Sequence, residues 1–158
     1  KGPWYDALTL TLRDGEETAM TTVDLQAEFF VPLEHAQEAI RAVWKASSEW
    51  TFSSPWGYSG GETPTKGLVD AMEFRQIQGG DGAWLSPHPV DSLGIHISFN
   101  GDPTYRANIH ETCVPALEKV LEPFQARAHW GKLAPLTFVH SRVEELYGEK
   151  LQRFRELC

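Results

Sequence analysis

The chain is poor in the features that mark out whole classes of protein. It has two cysteines, Cys113 and Cys158. They have no metal-ligand spacing and do not suggest a disulfide framework, which points to a reducing, cytoplasmic setting. Basic residues are scarce: 14 Lys and Arg face 22 Asp and Glu, for a net charge of -8 at pH 7. With no basic stripe, a nucleic-acid partner is not expected. No apolar run approaches the length that spans a membrane, and no signal-peptide pattern opens the chain. Internal repeats and low-complexity tracts are also missing. What is present is 41% hydrophobic residues in a chain of 158, enough for one core, so residues 1–158 are expected to form a single domain. The chain opens on Lys1 rather than Met, and Leu151 to Cys158 ends inside a helical pattern without a cap. It therefore reads as part of something longer.

Hydrophobic period sets the expected elements. Leu8, Leu10 and Leu12 alternate with Thr9 and Thr11 as in a half-buried strand, and Arg13 to Glu16 reads as a turn. From Thr22 to Val31, Val23, Leu25, Ala27, Phe29 and Val31 share one face, and Asp24, Gln26, Glu28 and Phe30 the other. Pro32 should stop that strand. Leu33, Ala36, Ile40, Val43 and Trp44 then recur at helical spacing to about Ser48, as a stripe to pack on the sheet. Glu49 to Gly67 has neither period and carries Trp50, Phe52, Trp56 and Tyr58, so it reads as a long aromatic loop, either functional or tucked on the surface.

Two further strands carry the chemistry. In Ala71 to Ile77, Met72 and Phe74 point one way and Glu73 and Arg75 the other, the latter pair roughly 7 Å apart along one face. In Leu93 to Phe99, Ile95, Ile97 and Phe99 face the core, opposite Gly94, His96 and Ser98. If the two strands are neighbours, Glu73, Arg75, His96 and Ser98 form one polar patch. The same pattern also suits an ordinary water-facing sheet side with a surface ion pair. Lys132, just after Gly131 in the loop Ala128-His129-Trp130-Gly131-Lys132, can point an ammonium into a cleft or sit in solvent.

The rest reads as helix. Thr112 is placed to cap a short helix with Pro115 in its first turn and Leu117, Leu121 and Phe124 on one side, and Pro123 should end or bend it. Ser141-Arg142-Val143-Glu144 has the form of a capping box, opening a helix that stops at Gly148 before a last segment with Leu151, Phe154 and Leu157. The expected class is α+β, a mainly antiparallel sheet covered by helices.

The segments Leu25-Gln26-Ala27-Glu28-Phe29-Phe30-Val31-Pro32, Met72-Glu73-Phe74-Arg75, Trp84-Leu85-Ser86-Pro87, His96-Ile97-Ser98-Phe99 and Arg127-Ala128-His129-Trp130-Gly131-Lys132 carry a resemblance through their order and spacing. Together they resemble the substrate-binding (cap) domain of alditol oxidases, vanillyl-alcohol-oxidase-type flavoproteins related to the sugar-1,4-lactone oxidases. The resemblance runs from about Pro3 to the end of the chain. It implies an FAD bound mainly by an N-terminal domain that this chain does not contain, with the cap as a lid over the isoalloxazine ring; the C-terminal stretch that returns to the flavin domain is likewise missing. It implies Arg75 and Lys132 as catalytic, Glu73, Ser98 and His96 as holding substrate hydroxyls, and Lys132 and His129 as facing the cofactor. No metal is implied. The implied reaction is oxidation of a primary alcohol of a xylitol- or sorbitol-like alditol by hydride transfer to flavin, with oxygen reduced to hydrogen peroxide. Fixed cations suit the anionic charge that develops.

Two departures bear on that resemblance. Ser98 stands where a threonine is usual, which enlarges the pocket by a methyl, and Ala128 stands where a proline is usual. His96-Ile97-Ser98-Phe99-Asn100 has a superficial likeness to a flavin-attachment motif, but its strand alternation assigns it to this domain. An aldonolactone is the alternative substrate class. A stand-alone α+β module using the polar face for a small ligand or partner protein is the non-enzymatic alternative. Without a flavin domain the chain itself is expected to be inactive.

Overall fold

The computed structural model describes residues 25–47, 68–80, 82–100, 105–135 and 142–158. The expected strand over Leu8 to Leu12, the aromatic stretch Glu49 to Gly67 and the capping residue Ser141 lie outside the described residues. Within them the fold is α+β: a four-stranded antiparallel sheet with helices against one face. The strands are β1 (Leu25–Pro32), β2 (Val69–Ile77), β3 (Ser92–Phe99) and β4 (Arg127–Ala128). Their order across the sheet is β2-β3-β1-β4, so β3 and β1 are central.

Period-2 alternation decides which side chains meet the helices. Leu25, Ala27, Phe29 and Val31 of β1 and Leu93, Ile95, Ile97 and Phe99 of β3 are buried on one side, as expected. They pack with Ala39 and Val43 of α1 (Ala36–Ser47) and with Val114, Leu117 and Leu121 of α3 (Val114–Leu121) in one continuous core. The edge strand β2 departs from its expected half-burial: Met72 is only partly covered and Phe74 is 37% exposed. Val69 is fully buried, whereas the rest of this edge is largely uncovered.

Two expectations about the helices are corrected. A 3-10 turn (Leu33–His35) precedes α1, and Trp44 is 64% exposed rather than part of the buried stripe. Ala36, Ile40 and Val43 of the expected stripe do pack on the core, and Ala39 and Ser47 join them there in place of Trp44. Ser47 is satisfied there by donating from Oγ to Trp44 O at 3.1 Å. Secondly, Thr112 caps nothing. The helical run already begins with α2 (Arg106–Asn108), and Thr112 lies in a π-turn (Ile109–Cys113), where Val114 N–H donates to Ile109 O. Pro115 has no N–H to give to the carbonyl four residues back, and the wider turn just before it lets the helix pass the proline without breaking. The expected stop at Gly148 holds: the helical run α4 (Val143–Leu157) is interrupted there by non-helical backbone (φ 47°, ψ -127°), and a second helical segment follows. Of that segment Leu151 is buried, while Phe154 and Leu157 are exposed. No helix of the described residues is long and apolar enough to cross a membrane.

The β2–β3 connection folds back on itself. Gly79 N–H donates to Asp91 Oδ1 at 2.8 Å and Gly80 N–H to His88 O at 3.1 Å. A Cβ on Gly79 would lie 2.2 Å from the Val90 carbonyl carbon, a backbone atom that cannot move aside. Gly79→Ala should therefore destabilise the protein by about 1–3 kcal/mol. An unchanged denaturant midpoint would show that this close approach does not exist in solution.

Candidate functional site

The face of the sheet turned away from the helices is built by the other half of each alternation. Register brings Gln26 opposite Ser98, Glu28 opposite His96, and Glu73 opposite His96 from the other side. Glu28, His96 and Glu73 thus form a row across three strands, with Cβ spacings of about 4.5–5.5 Å. Arg75 pairs with Gly94, whose missing side chain leaves room: a Cβ there would lie 2.8 Å from Ile77 Cδ1 and 3.5 Å from Glu28 Oε1.

Lys132 reaches this face from beyond the opposite edge of the sheet. After β4 the chain stays beside β1, with His129 N–H donating to Glu28 O at 2.9 Å and Leu133 N–H to Gln26 O at 2.8 Å. Between those two bonds the chain makes a tight turn. His129 Nδ1 accepts from Gly131 N–H at 3.0 Å and Lys132 N–H donates to His129 O at 3.2 Å. Anchors on either side hold the loop. Trp130 Nε1 donates to Leu85 O at 2.8 Å, and Arg127 donates to Leu146 O at 2.6 Å and Ser86 O at 3.2 Å with its guanidinium 4.5 Å from the Tyr147 ring centre. Burial pushes the Tyr147 phenol up to about 12, so it stays neutral there.

The side chains converge. Lys132 Nζ donates to Gln26 Oε1 at 2.6 Å and lies 3.8 Å from Glu28 Oε2. Arg75 is paired with Glu73 Oε2 and lies 4.0 Å from Glu28 Oε1. His96 is between them: Nδ1 is 3.2 Å from Glu73 Oε2 and 3.4 Å from Arg75 Nη2, and Nε2 is 3.2 Å from Gln26 Oε1. An ammonium has only donors, so the Gln26 atom it touches is the oxygen, and the same oxygen then accepts from His96 Nε2–H. Nδ1 likewise faces an acceptor, the Glu73 carboxylate, with Arg75 Nη2 beside it. The hydrogen bond and charge of Arg75 hold the Glu73 carboxyl below its ordinary value, and Glu73 raises Arg75 in return. Burial, then the charge of Lys132, pushes His96 down, against an opposite pull from Glu28.

Of the residues expected from sequence, Arg75, Lys132, Glu73 and His96 stand in one network. Ser98 lies on the same face one pleat further on, opposite Ala71 and Gln26. His129 is not drawn in: its Nδ1 closes the turn, and its ring lies 6.0 Å from that of Phe30. Gln26 and Glu28 were missed as site residues. Their alternation was visible, but the pairing of β1 against β3 that adds them to the patch was not. Glu28 is 4% exposed and His96 6%, whereas the Glu73 and Arg75 side chains are 50% exposed, so the face is covered at its centre and open to water at its β2 edge. Two hollows of about 390 and 620 Å³ lie elsewhere, one lined by Trp84, Leu85, Trp130 and Phe154, the other between α1 and α3.

His96 makes stability depend on pH. Its folded-state value is below the ordinary 6.5, so beneath about pH 6.5 the unfolded chain binds more protons than the folded one and stability falls. The thermal midpoint should drop between pH 7.5 and 5.5, and His96→Gln should flatten that drop. A midpoint constant over this range would contradict the buried neutral imidazole.

No protein-family model matches the chain. An antiparallel sheet covered by helices on one side, with a network of two cations and two carboxylates on the other, defines an α+β domain with one charged face. Among curated proteins, an alditol oxidase from Streptomyces sp. (strain IKD472 / FERM P-14339) is 26% identical to it over 136 residues, covering 84% of this chain. The chain spans 27% of the length of that relative, a distant likeness to one part of an oxidase.

Proposed function

We propose that the chain is the substrate-facing domain of an FAD-linked oxidase that oxidises a primary alcohol of an alditol, with flavin held mainly by a portion of the protein outside residues 1–158. The observation that carries this reading is the convergence of Arg75 and Lys132 on one face with Glu73 and His96. The donor set fits the reacting end of such a cofactor: two cations, one half-exposed and one largely covered, supply charge without a metal. Bound flavin supplies the hydride acceptor. Glu73, ionised beside Arg75, accepts hydrogen bonds from substrate hydroxyls, and the Ser98 hydroxyl both donates and accepts. Arg75 and Lys132 favour negative charge as it develops at the alcohol oxygen. His96, whose pKa is held down mainly by burial, is the group that takes the hydroxyl proton.

The test is flavin absorbance of the full-length gene product, followed by peroxide release with a panel of alditols and aldonolactones. Bound flavin and faster peroxide release with polyols are expected. Preference for lactones would move the substrate class to the sugar-lactone oxidases, and a protein with neither flavin nor peroxide would overturn the reading.

A further inference from the structure

Resting on that reading, we propose that Glu28 is a positioning residue that holds Arg75 and Lys132 at one reacting centre while touching no substrate itself. The two cations come from opposite sides. Arg75 stands on β2 beyond β3, and Lys132 reaches in from the loop beyond β4. Like charges so placed repel and would each turn toward solvent. Glu28, on the central strand β1, gives one carboxylate oxygen to each: Oε1 at 4.0 Å from Arg75 Nη1 and Oε2 at 3.8 Å from Lys132 Nζ. Arg75 has a second carboxylate in Glu73. Among the described residues, the carboxylate in ion-pair reach of Lys132 is Glu28, its other partner being the neutral amide of Gln26.

Burial separates this role from substrate binding. At 4% exposure the carboxylate lies beneath the network, backed by the space left at Gly94. A buried carboxylate is costly unless compensated by charge. Its retention at this point of the sheet is accounted for by the two cations it faces.

A double-mutant cycle in the full-length flavoprotein tests this. Glu28→Gln keeps the shape and removes the charge. It should lower kcat about tenfold or more with little change in KM, and Glu28→Asp should recover part of the loss. In a Lys132→Ala background the same Glu28→Gln change should cost severalfold less than in the unmodified protein, because one of the two cations it positions is gone. Losses that multiply independently would make Glu28 merely structural and overturn the inference alone. Absence of polyol oxidation in the unmodified protein would overturn the functional reading, and this inference with it. If Glu28→Gln does not fold, Glu28→Asp in the two backgrounds is read the same way.

Discussion

Replacing Lys132 or Arg75 with alanine in the full-length protein should lower polyol turnover about 10²–10³-fold, the usual cost of removing a fixed donor aimed at developing charge. Thermal stability should change far less. Arg75 has a side chain half in solvent, and exposed ion pairs such as the one with Glu73 contribute about 0–1 kcal/mol. Lys132 makes one short hydrogen bond, to Gln26, and its nearest carboxylate stays within reach of Arg75 after it is removed. Steady-state turnover beside a thermal melt separates the two effects. Unchanged turnover would remove both cations from the site, and equal collapse of turnover and fold would make them structural.

The largest effect on folding should come from Phe29→Ala. Phe29 is 2% exposed on β1, where it pairs with Ile95 on one side and Ala128 on the other. Emptying that position should cost about 3–5 kcal/mol through lost burial and the cavity left behind. For a domain whose total stability is about 5–15 kcal/mol, this should lower the thermal midpoint by roughly 6–20 °C. Trp44→Ala removes a larger side chain at 64% exposure and should cost about 0.5 kcal/mol or less. Similar losses at the two positions would mean that the helical stripe expected from sequence, with Trp44 inside, is the correct one.

Much of the fold is legible along the chain because alternation and local turn chemistry are properties of neighbouring residues. The β1 and β3 faces, the stop at Pro32 and the break at Gly148 all follow from spacing or from one residue's backbone limits. The misreadings occur where a local rule met a tertiary choice. Trp44 obeys helical spacing as well as Ser47 does, but the face of α1 turned to the core carries Ala39, Val43 and Ser47 and leaves Trp44 64% exposed. Thr112 and Pro115 read as a helix start, yet the chain inserts a π-turn and continues a helix begun upstream.

The candidate site divides in the same way. Sequence by itself determined which residues share a face within a strand, and so placed Glu73 with Arg75 and His96 with Ser98, because a strand's side chains alternate with period two. Only the tertiary structure decided that β1 lies between β3 and β4. That arrangement brings Gln26 and Glu28 into the patch and delivers Lys132 across the strand edge, because strand order and register depend on partners distant in the chain. Burial of Glu28 and His96 is equally a product of that assembly. A carboxylate reads the same in sequence whether water or two cations will surround it.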